Sequence, residues 1–173
     1  MPTKAQIIFA QQVYSAAKEA NTEIDAAFVT AQAMLETGWG KKVIGKANLF
    51  GITKGSQWDG DIVMVKTHEY FKTPNQKFKA PDRILSVCKV KGKNLWYYTV
   101  ERAFKDFDSL ADCLKEHERL FQKSGYKDAW PYRKDPLTFA RKICDGAGCK
   151  YATDPAYLTT ITSIIKTVQK KCK

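Results

Sequence analysis

Phe28-Val29-Thr30-Ala31-Gln32-Ala33-Met34-Leu35-Glu36-Thr37-Gly38-Trp39-Gly40 is an apolar, alanine-rich run that ends on a carboxylate and breaks at once into glycines. Alanine and long apolar side chains are good helix formers, and eight residues without a charge describe a helix that is buried. Gly38 and Gly40 then stop it. Glu36 therefore falls at a helix C-terminus, against apolar neighbours. Desolvation disfavours its charged form, and the partial negative charge of the helix end pushes the same way. An acid kept protonated near neutral pH suits the cleavage of a glycosidic bond, where a poor leaving group needs a proton. A lone Glu at a helix end is more often simply solvated, so position alone nominates Glu36 without identifying a reaction.

Thr22 or Asp25 can cap this helix, and Phe28, Ala31 and Leu35 face inward. Upstream, Phe9, Val13, Ala16, Ala17 and Ala20 recur at helical spacing and predict a helix over 4–20. Downstream, residues 38–60 read as an irregular glycine-rich loop. The period then changes: Asp61 to Phe71, Ile84 to Val90 and Leu95 to Phe104 are β-branched and aromatic. Lys91-Gly92-Lys93-Asn94 is a plausible hairpin turn, and residues 72–82 an exposed loop. Helical spacing returns at Leu110, Cys113, Leu114, His117, Leu120 and Phe121, behind a Ser109/Asp112 capping pair. A shorter helix follows over 137–144. Asp154-Pro155 starts the last one, with Tyr157, Ile161, Ile164, Ile165 and Val168 on its apolar face.

The pattern predicts an α+β fold, a mainly helical domain with a small inserted antiparallel β-lobe. The helical lobe covers 1–58 and 105–173 and the β-lobe about 59–104, in one catalytic domain.

With 44% hydrophobic and 12% aromatic residues, the 173-residue chain is globular, and it contains no apolar run long enough to span a bilayer. The first residues, Met1-Pro2-Thr3-Lys4-Ala5-Gln6, lack the basic and apolar regions of a signal peptide, so cytoplasmic synthesis is expected. The formal charge of +11 favours a polyanionic partner such as an anionic envelope surface. Lysines and arginines are scattered rather than gathered on one helix or an aromatic-interleaved strand, which argues against nucleic acid. Five cysteines, at 88, 113, 144, 149 and 172, do not make a complete disulfide framework. Buried free thiols are the default, and a Cys144–Cys149 bridge is the minority option. With two histidines and no CxxC motif, no metal site and no cofactor are expected.

Ala31 to Gly40, then Asn48-Leu49-Phe50-Gly51-Ile52, Trp58-Asp59-Gly60, Thr67-His68-Glu69-Tyr70 and Tyr151-Ala152-Thr153-Asp154-Pro155-Ala156-Tyr157 follow one another along the chain. In this order they resemble the glucosaminidase-type peptidoglycan hydrolases of glycoside hydrolase family 73, a group that includes the wall-cutting domain of the flagellar rod-assembly protein. The resemblance implies a lysozyme-like fold with a cleft between a helical and a β-lobe. It implies Glu36 as general acid and Glu69 as the candidate second carboxylate; Asp59 and Asp61, which also lie in or near the β-lobe, are next in line. It implies that Tyr151 lines the cleft near Glu36, and that Trp39, Asn48 and Phe50 shape sugar subsites. Thr37 stands where the family commonly has Ser and is grouped with the substrate-binding residues. By residue type alone, Trp39 and Phe50 fit a core as well as a subsite, and Tyr151 a helix-packing role. The stretch from Glu69 to Phe104 looks longer than in simpler members, which bears on the assignment of Glu69 and offers Lys72, Lys77, Lys79 and Arg83 as added contacts.

The function expected is hydrolysis of β-1,4 bonds between N-acetylglucosamine and N-acetylmuramic acid in peptidoglycan glycan strands. Alternatives are lytic transglycosylase chemistry ending in anhydro-muramic acid, or a non-catalytic basic protein binding wall or nucleic acid. A small basic wall hydrolase of this kind, monomeric and acting on the wall after membrane permeabilisation, looks like a bacteriophage endolysin.

Overall fold

The computed structural model describes residues 2–145, 151–152, 154 and 156–172. They divide into a helical unit, Met1–Phe50 with Phe107–Lys173, and a β unit, Gly51–Asp106.

The helical unit contains α1 (Lys4–Glu19), α2 (Ala26–Glu36), α3 (Leu110–Phe121), α4 (Pro136–Asp145) and α5 (Tyr157–Lys171), with two short 3-10 turns at Ser124–Tyr126 and Trp130–Tyr132. Local chemistry sets the ends. Thr3 caps α1 in a reciprocal pair: its hydroxyl accepts from Gln6 N–H at 3.3 Å, and Gln6 Oε1 accepts from Thr3 N–H at 2.8 Å. Of the two candidates for α2, Asp25 is the cap, accepting from Ala27 N–H at 2.8 Å. Thr22 instead donates to Ile24 O at 3.0 Å. Ser109 caps α3 and accepts from Asp112 N–H at 3.2 Å. Before α5, Asp154 Oδ1 accepts from Ala156 N–H at 2.8 Å; Pro155, the expected first helical residue, lies outside the described residues.

Helix α2 is the hub of this unit. Every residue from Ala26 to Met34 is buried, which fits a helix that is apolar all round. Phe28 meets the Phe139 ring of α4 edge-on at 4.8 Å and the Phe121 ring of α3 at 6.0 Å. Truncating such a ring costs roughly 3–5 kcal/mol. The α1 stripe is narrower than its spacing predicts: Ala10, Val13 and Ala17 are buried, whereas Phe9, Ala16 and Ala20 are half-buried.

In the β unit, β1 (Ile62–Phe71), β2 (Arg83–Lys89) and β3 (Trp96–Lys105) form an antiparallel sheet in the order β1-β3-β2. Val90 N–H to Leu95 O at 2.9 Å closes the expected hairpin turn, in which Gly92 takes φ +74°. Central β3 buries Tyr98, Val100, Ala103 and Phe104, while the edge strand β2 is exposed along its whole length. Residues 51–58 go with the strands. Lys105 N–H donates to Ile52 O at 3.0 Å and Lys54 N–H to Ala103 O at 2.9 Å, so the boundary falls at Phe50/Gly51. Backbone bonds of this kind leave no mark in local pattern, and the composition change at about residue 59 lies eight residues beyond this boundary.

The thiols are not uniformly buried. Cys113 and Cys172 are buried, Cys144 is half-buried, and Cys88 on the edge strand is exposed. Cys149, the possible partner of Cys144, lies outside the described residues.

Candidate active site

Glu36 is the last residue of α2, with its side chain open to solvent. The chain leaves the helix through a Schellman arrangement: Trp39 N–H donates to Met34 O at 2.7 Å and Gly38 N–H to Leu35 O at 3.2 Å. Gly38, Trp39 and Gly40 all take positive φ, at 57°, 64° and 81°. Trp39 is half-buried in this strained turn, an uncommon state for a bulky residue. Thr37 is fully buried. Its hydroxyl donates to Ala33 O at 2.6 Å and accepts from Gly40 N–H at 2.8 Å. Both capacities of that hydroxyl serve the loop, so the structure gives Thr37 a turn-holding role instead of direct contact with a substrate.

Tyr151 lies on Glu36. Its hydroxyl donates to Glu36 Oε1 at 3.3 Å. The Glu36 pKa is raised: partial desolvation pushes it up, and the Tyr151 hydrogen bond, a smaller effect, pulls it down. Burial, reinforced by the Glu36 charge, keeps the Tyr151 phenol protonated far above its ordinary range. The Tyr151 ring stacks on Phe121 at 5.5 Å and meets Tyr157 at 5.5 Å, and its N–H donates to Ile143 O at 3.0 Å. Tyr151 is thus both a packing residue and a partner of Glu36.

Behind this pair runs a buried polar chain. Gln32 Nε2 donates to Tyr157 Oη at 2.8 Å, and Gln32 Oε1 accepts from His117 Nε2 at 2.6 Å. The Gln32 carbonyl fixes the Nε2–H tautomer of His117, since it can only accept. Phe50 stacks on the His117 ring at 3.8 Å. Asn48 is buried, and its backbone pairs with that of Ile44. Phe50 and Asn48 therefore brace the helical unit, and the Asn48 side chain is not turned to solvent. In the sequence His117 and Tyr157 read only as members of inward-facing helical stripes, and Gln32 only as part of the buried run. The available signal was a polar residue inside each of three otherwise apolar helical stripes.

Glu69 lies half-buried on β1. Its Oε1 accepts from Arg102 Nη1 at 2.9 Å, and the same guanidinium reaches Asp82 Oδ2 through Nε at 3.2 Å. The charge on that strand has a pairing reason. Asp59 is exposed, and the Asp61 backbone carbonyl accepts from Trp58 Nε1 at 2.9 Å. No cluster of three or more His, Cys, Asp or Glu that could hold a metal occurs among the described residues.

The glucosaminidase family, described as mannosyl-glycoprotein endo-beta-N-acetylglucosaminidase, matches residues 10–170. The peptidoglycan hydrolase FlgJ of Pseudomonas aeruginosa is 33% identical over 152 residues, covering 84% of this chain and 32% of the relative. FlgJ of Vibrio parahaemolyticus is 28% identical over 152 residues, covering 84% and 41%. The chain thus spans 32% and 41% of the length of these two relatives. Among solved structures, a C-terminally truncated glycoside hydrolase domain of Salmonella typhimurium FlgJ superposes with a TM-score of 0.68 at 21% identity, over 95% of this chain and 98% of that one. That likeness establishes the lysozyme-like α+β fold. With the family matched over nearly its whole length, the chain belongs to the glucosaminidases of glycoside hydrolase family 73.

Proposed function

We propose that the chain hydrolyses β-1,4 bonds between N-acetylglucosamine and N-acetylmuramic acid in peptidoglycan, with Glu36 as general acid. One observation carries this reading: a carboxyl open to solvent at a helix end, with a raised pKa and a phenol donating to one of its oxygens. The Tyr151 hydroxyl occupies Oε1 and leaves Oε2 to carry the proton. As the bond to the anomeric carbon breaks, that proton passes to the bridging oxygen, and Tyr151 then steadies the carboxylate left behind. The peptidoglycan hydrolases among its relatives support this substrate class.

Glu69 is the proposed second carboxylate. Its ion pair with Arg102 orients the carboxylate, suited to facing the positive charge that develops on the sugar. With one Glu69 oxygen already engaged by Arg102, the substrate's own N-acetyl oxygen is the proposed nucleophile, in place of water activated by Glu69. Trp39 and Phe50 are proposed at the edges of the sugar subsites.

Glu36→Gln should retain the fold and lose at least about 100-fold in turbidity clearance of isolated walls. Glu69→Gln should lose a large part of the activity. Wild-type activity should decline as pH rises through the raised Glu36 pKa, because only the protonated acid is competent. More than a few per cent of wild-type clearance by Glu36→Gln would make it the wrong acid. Mass spectrometry of the reduced muropeptides reports the bond and the chemistry together. Anhydro-muramic ends would replace hydrolysis by transglycosylation, and binding without clearance would leave a non-catalytic wall protein.

The same proposal includes a bacteriophage endolysin acting on the wall once the inner membrane is permeabilised. Co-expression with a membrane-permeabilising protein in a Gram-negative host tests it by lysis.

A further inference from the structure

A groove of about 670 Å³ lies wholly within the β unit, between residues 53–56 and the strap 76–82. Its volume falls in the range of small-ligand sites, roughly 300–1,000 Å³. Both walls are tied to one strand. Lys54 N–H donates to Ala103 O at 2.9 Å, and Ala103 N–H donates to Asp82 Oδ1 at 2.8 Å. The strap is held at its other end by Tyr98, whose hydroxyl accepts from Gln76 N–H at 3.3 Å and donates to Thr73 O at 3.2 Å. The concavity is therefore built and does not depend on a free loop.

Its lining combines an apolar surface with unspent positive charge. Phe71 and Phe78 are half-buried and pack edge-to-face at 6.1 Å. Glu69 and Asp82, the two carboxylates, both bind Arg102, which leaves one residual negative charge among the three. Lys54, Lys77 and Lys79 also line the groove, and their ammonium groups have no carboxylate partner among the described residues. Three free cations against that single residual charge leave the groove at +2.

A phosphate polymer would answer the charge but offer nothing to Phe71 and Phe78. A peptide with free carboxylates on an aliphatic frame answers both. We infer that this groove binds a short acidic peptide. Resting on the function proposed above, that peptide is the carboxylate-bearing stem attached to the glycan strand. Walls whose stem carboxylates are amidated are then held less tightly than walls with free acids.

Calorimetric titration of the full chain with N-acetyl-L-alanyl-D-glutamate, which has two free carboxylates and no ammonium group, at fixed low ionic strength, tests this. One-to-one binding is expected, with backbone amide shifts at Phe71, Phe78 and Ala103 in NMR spectra. Amidating both peptide carboxylates should weaken binding at least tenfold, as should the combined Lys54→Gln, Lys77→Gln and Lys79→Gln variant. A charge-matched control, Lys115→Gln, Lys123→Gln and Lys170→Gln on the helical unit, should change it less than twofold. Equal binding of the amidated peptide, an equal loss in the control, or displacement by polyphosphate at the same concentration as by the peptide overturns the inference. The probe has no glycosidic bond, so its failure to bind leaves the glycosidase reading standing. Failure of Glu36→Gln to lose wall clearance would strike that reading alone.

Discussion

His117 is a buried titratable residue that the proposed chemistry does not use, and it ties stability to pH. Its ring is fully enclosed; Nε2 donates to Gln32, and Nδ1 has no partner among the described residues. Desolvation lowers its pKa from 6.5 to about 3. The unfolded chain takes up a proton near pH 6.5 while the folded chain does not, so folding is favoured above that pH and weakened as pH falls toward 3. At 1.36 kcal/mol per pH unit, this group makes the protein about 2 kcal/mol less stable at pH 5 than at pH 7. Urea denaturation at the two pH values measures the difference, and His117→Gln should flatten the part that His117 supplies. A residue whose loss left the pH dependence unchanged would not be neutral and buried in this way. Glu36 shows the contrast at the same scale. Its chemistry could be inferred from its own neighbours in sequence, but its partner Tyr151 stands 115 residues away and only the fold brings them together.

At the scale of the element, the end of α2 decides where the acid points. Three successive positive φ values turn the chain within one helical turn of Glu36, and the Thr37 hydroxyl ties both sides of the bend. The two flanking glycines carry different constraints. A Cβ on Gly38 would meet nothing within 4 Å, so alanine there meets only the backbone penalty of about 1–2 kcal/mol. A Cβ on Gly40 would come within 2.7 Å of the Phe9 ring, with φ at +81° besides. Gly40→Ala should therefore destabilise by about 1–3 kcal/mol more than Gly38→Ala in chemical denaturation, because the Phe9 ring must shift as well. Equal losses would mean that the α1 ring yields freely. The glycines announced the turn in sequence; the contact with Phe9, thirty-one residues upstream, they did not announce.

Across the whole molecule, charge is unevenly divided. The β unit, residues 51–106, holds 11 of the 29 basic residues against 6 of the 18 acidic ones, so a third of the chain carries nearly half of the +11 surplus. Electrostatic attraction to an anionic wall reaches about 10 Å at 0.1 M salt and about 3 Å at 1 M. Sedimentation of the chain with isolated walls should accordingly fall steeply between these concentrations. Charge-removing substitutions on the hairpin, such as Lys89→Gln with Lys91→Gln and Lys93→Gln, should reduce the slope. Salt-independent retention would mean that specific sugar contacts, and not the surplus charge, hold the enzyme on its substrate.

Local pattern determined most of the architecture. Apolar period 3.6 around Phe28, period 2 around Val63 to Thr67, and the Lys91–Asn94 turn fix helices, strands and hairpin because each depends on neighbours within a few residues. The same locality makes Glu36 a candidate acid and, with the ordered motifs, discloses the family. Tertiary structure alone decided the rest: that Tyr151 rests on Glu36, that Gln32 joins His117 to Tyr157, that Arg102 engages Glu69, and that residues 52–54 belong to the sheet. Each of these is a bond between residues 33 to 125 positions apart, whose partners are chosen by packing; the periodicity of the chain specifies which face is buried but not what it meets.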